Sequence, residues 1–284
     1  MSNTGMFHSW LSLPRDPEFA SKALYVNLIA NVIWAVLFFG LGYLHPLPAS
    51  WTKTAKTPYD KLVIRHRLTC IYHGVIAWAM AMYWHLFNND TTCSKRISDL
   101  ELVMLANTSA HFIWDMIFMK VHGFLDMGNM IHHVMGIVTY YFTAYQQHNH
   151  NLLCLNILPA EFSNVNMHLR EVYKRIGWRY TWAYYFNEYQ YCFTYIVCRS
   201  IWIPAAYYWM ITCETTNPAV LIIYPLHCVM SWYYVSMLPK MIKERNQELA
   251  KFKKAGMAVE WFTPLSQEDA NKAGNGRTHE AYKM

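Results

Sequence analysis

The chain has 284 residues, of which 54% are hydrophobic, 17% aromatic and only 15% charged. A soluble domain usually carries about 25% charged residues, so this composition excludes an ordinary soluble enzyme. The formal net charge of +6 comes largely from Lys and Arg that flank apolar runs. Anionic lipid accounts for that placement, and nucleic-acid binding is set aside.

Residues 1–21 form an N-terminal segment with neither a Lys/Arg-led apolar signal nor an Arg-rich amphipathic presequence. Crossing a bilayer takes roughly 20 mostly apolar residues. That window selects 22–44, 67–86, 99–119 and 129–145 in turn. A shorter segment follows at 151–163, interrupted by Pro159, and is expected to be re-entrant or partly unwound. The last two candidates are a long one at 180–211 and one at 219–238. Seven spans place most cations on one side: Lys53 to Arg67, Lys120, Arg170 to Arg179 and the whole tail. The positive-inside rule then puts the tail on the cytoplasm-equivalent side and the N-terminus opposite.

The basic, polar tail is residues 240–284. Its first part, 240–254, has helical charge spacing and is expected along an anionic membrane surface, while 271–284 reads as loop. Such a tail is the expected contact point for other membrane subunits. The seven cysteines show no CxxC and no paired spacing, so they read as small apolar residues without a disulfide framework or a zinc site.

Polar residues recur inside the spans at helical spacing. The second span carries His66, Thr69 and His73, and the third Asn107, His111 and Asp115. In the fourth come Asn129, His132, His133, Gly136 and Tyr140. The sixth has Asn187, Tyr191, Tyr195 and Arg199, with Glu188 alongside, and the seventh Tyr224, His227, Ser231 and Tyr234. Residues at i, i+3 and i+4 share a face, and ionisable groups in a bilayer usually face protein or water. The expectation is an all-α membrane protein of about seven transmembrane helices, stripes inward, around an internal, partly wet cavity.

The same residues resemble the TLC domain family, which includes the ceramide synthases and the TRAM proteins. The resemblance runs from about Asp60 to Glu244. It rests on Arg67–Thr69 with His73–Gly74, on Ser109, Phe112 and Asp115, and on the pair His132–His133. Glu161 and Ser163, Arg199, and then His227 with Trp232 complete it. The His-Asp and Ser-Asp element of the ceramide synthases is missing, so the chain is closer to the small TLC proteins linked to membrane lipid composition. The resemblance implies six helices of a TLC-type bundle at 60–239, preceded by a first helix and loop at 22–59.

Acyl-lipid binding or processing is what the resemblance implies, with acyl transfer as the candidate reaction. An imidazole can take a proton from an attacking amine or hydroxyl, which makes His133 and His132 catalytic candidates, with Asp115 orienting the ring. Arg199, Glu161, Ser163, His73, His111 and His227 are candidate lipid or substrate contacts. Acyl-CoA is the expected substrate and bound phospholipid the expected companion, with no resident cofactor and no metal. The alternative is a non-catalytic subunit of a large membrane assembly, such as a respiratory complex. The family implies the endoplasmic reticulum, with the mitochondrial inner membrane as the alternative.

Overall fold

The computed structural model describes residues 16–275 apart from 56, 94, 147–149, 214, 215 and 217. Helix α1 (Pro17–Leu44) starts where the Asp16 carboxylate accepts from the backbone N–H groups of Glu18 and Phe19, with Pro17 at the first helical position. A short α2 (Ala49–Thr54) leads to α3 (Pro58–Phe87), whose cap is Thr57 and whose first residue is again a proline. Helix α4 (Asp99–Val121) opens on a capping box formed by Ser98 and Glu101. Next come α5 (Met127–Gln146) and α6 (His150–Arg175). Helix α7 (Trp182–Val197) passes through a π-helical turn, Cys198–Trp202, into α8 (Ile203–Ile211). A long α9 (Pro218–Lys254) and a short α10 (Gln267–Lys272) complete the chain.

The fold is all-helical, with no strand among the described residues. By length and composition, three helices are apolar enough to cross a membrane: Pro17–Leu44, Asp99–Val121 and Val220–Lys254. The protein is therefore an integral membrane protein. On α1, Leu24, Leu28, Val32 and Val36 are exposed at i, i+4 spacing, while Asn27, Trp34 and Phe38 turn inward. An apolar face of this kind is what a bilayer would cover.

Short connections make successive helices antiparallel, and contacts mark two ends of the bundle. At one end Lys22 pairs with Asp99, and the Asn151 amide donates to the carbonyls of Asp90 and Thr92. At the other, the Arg175 guanidinium donates to Asp60 (2.5 Å) and Arg65 to the His45 carbonyl (3.0 Å). The first end also holds a disulfide between Cys93 and Cys213, their Cα atoms 5.6 Å apart. This corrects the reading of all seven cysteines as unpaired. The two lie 120 residues apart, in loops that only the folded bundle brings together.

The structure differs from expectation at the fifth segment. Helix α6 is continuous through Pro159 and runs well past residue 163. Its first turns, Leu152 to Leu155, are buried on every side, and its second half keeps Asn166, His168 and Arg170 buried as well. A helix wrapped this largely by other helices, with Phe162 its exposed apolar residue, needs little apolar surface, so hydropathy understates its length. Its main neighbour is α3, approached at Gly74, where a Cβ would lie 2.9 Å from Val165 Cγ2.

The tail also departs from a surface-lying arm. Residues 240–254 continue α9 without a break despite Pro239. They dock on α7 and the turn before it through ion pairs of Arg245 with Glu188 and of Glu248 with Arg179; Arg245 also pairs with Glu248, and Glu188 with Arg170 of α6. Phe252 of this segment and Ala270 beyond it pack on Tyr180, and the Asn275 amide donates to the Glu248 carbonyl. Through Asn275, the tail finds its packing partners within its own chain.

Candidate functional site

Residues of α4, α5, α6, the π-helical turn, α8 and α9 meet around a cavity of about 50 Å³. Its lining includes Phe112, His132, Tyr140, Asn156, Glu161, Asn164, Arg199, Tyr224 and His227. That volume holds a water molecule or two, so side chains fill most of the space. His132 and His227 are half-buried, between lipid-facing neighbours Ile131 and Val134 on α5 and Leu226 and Val229 on α9. The cavity thus borders the apolar flank of the bundle.

Arg199 is the centre of the polar lining. It lies in the π-helical turn, a local widening that recurs at functional positions because it re-aims side chains. Its guanidinium donates to His227 Nε2 (3.1 Å) and to Asn164 Oδ1 (3.4 Å), and it sits over the Tyr195 ring at 5.2 Å. Since arginine can only donate, His227 presents a bare Nε2 and carries any ring proton on Nδ1. Asn164 in turn donates to Glu161 Oε2 (3.4 Å), and His73 Nδ1 lies 3.6 Å from the same oxygen. A continuous polar chain therefore runs from His227 through Arg199, Asn164 and Glu161 to His73. Arg199 is buried, yet its Nε has no hydrogen-bond partner among the described residues.

The two adjacent histidines separate, as a helical step of about 100° requires. His132 faces the cavity, its ring 5.1 Å from that of His227. His133 turns away to a second group. Its Nδ1 lies 3.2 Å from the Phe112 carbonyl, and its Nε2 3.3 Å from Asp115 Oδ2. Asp115 Oδ1 accepts from His66 Nε2 at 2.5 Å, so the carboxylate lies between two imidazoles. His73 and His111 stack in parallel at 3.7 Å, and Trp34 meets both edge-on while its Nε1 donates to Asn107.

The structure thus brings His132, Arg199, Glu161 and His227 together at the cavity, with His73 and His111 behind Glu161. It sets His133 and Asp115 on the far side of Phe112. Ser163 is buried with its hydroxyl donating to Ala160 in its own helix, and does not line the cavity. Asn156 and Asn164 do line it; the sequence reading cuts α6 before Asn164 and singles out no polar stripe on the segment that holds Asn156. Their spacing with Ala160, at i, i+4 and i+8, was the available signal. Gly136 is needed here for close approach: a Cβ would stand 2.4 Å from the Phe112 ring, which forms one wall.

Comparison with family models decides the relationship. The TLC domain model matches residues 64–241. The chain belongs to the TLC domain family. The match takes in α3 to the middle of α9, and so every residue lining the cavity. No curated protein matches the chain. The family is one of lipid-related membrane proteins, and this chain contacts lipid through its apolar helices.

Proposed function

We propose that this TLC domain binds an acyl lipid by its polar head, with the unspent donor of Arg199 as the anchoring contact. A buried guanidinium with a free N–H, facing a cavity among two half-buried imidazoles, suits an ester carbonyl, carboxylate or phosphate oxygen. Access from the lipid-facing flank between α5 and α9 suits a chain that stays in the bilayer while its head enters. A cavity of about 50 Å³ admits a carbonyl or a few oxygen atoms, and a larger head would need its side chains to move; the acyl tail would lie between helices. Seven of the helical segments would cross the membrane, with the cation-poor, disulfide-linked end facing an oxidising lumen. That arrangement favours the endoplasmic reticulum over the mitochondrial inner membrane.

Acyl transfer is the reaction this site supports. An amine or hydroxyl attacks the carbonyl of an acyl thioester, its proton passing to His132. Arg199 steadies the oxyanion, and the thiolate then leaves with that proton. His132 takes the base role here because it faces the cavity, while His133 and Asp115 lie behind Phe112. The missing synthase element supports a place among the small TLC proteins rather than ceramide synthesis. The small volume favours a second reading, a lipid-binding subunit of a larger assembly without turnover. Acyl-CoA consumption by purified protein, compared with His132→Ala, separates the two. Consumption that depends on His132 supports transfer, and consumption unchanged in the variant refutes the assignment of His132.

A further inference from the structure

Behind Phe112 lies a cluster that the cavity does not use. Helix α3 offers His66 and Cys70 at i, i+4, so both project from one face. Helix α4 supplies Asp115 and α5 supplies His133. Relative exposures are 0% for His66, 2% for Cys70, 5% for Asp115 and 6% for His133. His66, Cys70 and Asp115 each place one donor atom within 4.8 Å of the other two.

We propose that His66, Cys70 and Asp115 hold one divalent transition-metal ion of the zinc class, with His133 beside Asp115 as the fourth candidate ligand. The first argument is His133. The Phe112 carbonyl 3.2 Å from Nδ1 can only accept, so that nitrogen carries the ring proton. In a neutral ring Nε2 is then a lone pair, and it lies 3.3 Å from Asp115 Oδ2. A cation shared by the two relieves their repulsion, whether a metal ion or a proton on Nε2.

Distances provide the second argument. Metal bonds of about 2.0–2.1 Å to nitrogen or oxygen and about 2.3 Å to sulfur give a tetrahedron with edges of roughly 3.3–3.6 Å. Cys70 Sγ lies 3.5 Å from Asp115 Oδ1 and 3.8 Å from His66 Nε2. The 2.5 Å contact between His66 and Asp115 is a hydrogen bond that would open by under about 1 Å on metallation. Charge is the third argument. Two neutral imidazoles, a carboxylate and a thiolate sum with a dication to zero, the least costly total inside a bilayer. The hydrogen bond from His133 Nδ1 to a backbone carbonyl is the outer-sphere contact that ligating histidines use to fix their tautomer.

Such an ion would tie α3, α4 and α5 together and fix the turn of α5 that also carries His132. The inference stands apart from the lipid reading, since none of its four ligands lines the cavity. The sequence reading finds no zinc spacing because the ligands come from three helices.

The test uses full-length protein purified in mild detergent with a tag that lacks histidine. Metal analysis is expected to find about one zinc per chain in wild type, retention in Cys154→Ala, and at least a fivefold loss in Cys70→Ala. Cobalt(II) added to metal-stripped wild type is expected to give intense visible bands and a thiolate charge-transfer band. That band should vanish in Cys70→Ser, which keeps the volume. Monodisperse wild type that carries no stoichiometric metal and gives no thiolate band with cobalt overturns the proposal. So does metal content unchanged in a folded Cys70→Ser. If both Cys70 variants fail to fold, the wild-type cobalt spectrum alone decides.

Discussion

Replacing Gly136 by alanine tests whether the wall of the cavity is packed as described. The added Cβ would lie 2.4 and 2.6 Å from two atoms of the Phe112 ring, well inside ordinary contact. The ring has little room to retreat, with centroids of His133, His132 and Tyr140 at 5.0, 5.7 and 6.1 Å. Overpacking of this kind costs about 1–3 kcal/mol, against about 0.8–1 kcal/mol gained when alanine replaces glycine inside a helix. The expected balance is a net loss of up to about 2 kcal/mol. Gly40 on α1 is the control, because its Cβ would meet nothing within 4 Å and only the helix gain of up to about 1 kcal/mol applies. Thermal unfolding in one detergent, followed by tryptophan fluorescence, should therefore lower the midpoint for Gly136→Ala and leave it unchanged or raised for Gly40→Ala. Adding Phe112→Leu should recover part of the loss. Equal midpoints for the two glycine variants would refute the close approach of α5 to Phe112.

The disulfide gives a second expectation. Under denaturing, non-reducing conditions, maleimide reagents should leave Cys93 and Cys213 unlabelled until a reductant is added, and Cys93→Ser should cost about 2–4 kcal/mol. A third concerns Asp60 at the opposite end. Burial pushes its carboxyl up, but the Thr57 hydroxyl and the Arg175 guanidinium outweigh it and hold the group below the usual carboxylate range. A group lowered in the folded state stabilises above its unfolded value and loses that contribution as pH falls through the folded one. Asp60→Asn should therefore cost under about 1 kcal/mol at neutral pH, given the partial exposure of the pair. Unfolding midpoints of variant and wild type should converge as pH drops below about 4. Fourth, Arg245→Met leaves Glu188 and Glu248 each short of a cation in a buried network, a change that typically costs about 3–5 kcal/mol. Limited proteolysis should then cleave the released tail first.

Much of the fold is legible in the sequence because the bilayer imposes length and apolarity on helices that meet it. Helices α1, α4 and the first part of α9 were expected within a few residues of where they lie. Helix α6 escaped the same argument: largely shielded by α3, α4 and α7, it exposes Phe162 but keeps Asn156 and His168 buried and Asn164 partly so. Helical spacing put His132, Arg199 and His227 on stripes expected to turn inward, and the three lie beside one small cavity. It could not say which of two adjacent histidines faces the cavity, since that depends on the rotation of α5 against Phe112. The grouping of Cys70 with Asp115 and the pairing of Cys93 with Cys213 are long-range facts, carried by helix packing and invisible in spacing along the chain. Tail docking was missed for a related reason: Arg245 and Glu248 look like a solvated charged face until Glu188 and Arg179 are seen opposite them.

The most direct test is mass spectrometry of the lipid that co-purifies with wild type and with Arg199→Met, both checked for monodispersity. Methionine keeps much of the side-chain length and removes every donor. An acyl lipid retained at a fixed ratio by wild type and lost at least tenfold in the variant is the predicted result. The same lipid at the same ratio in both proteins would contradict a head-group site at Arg199.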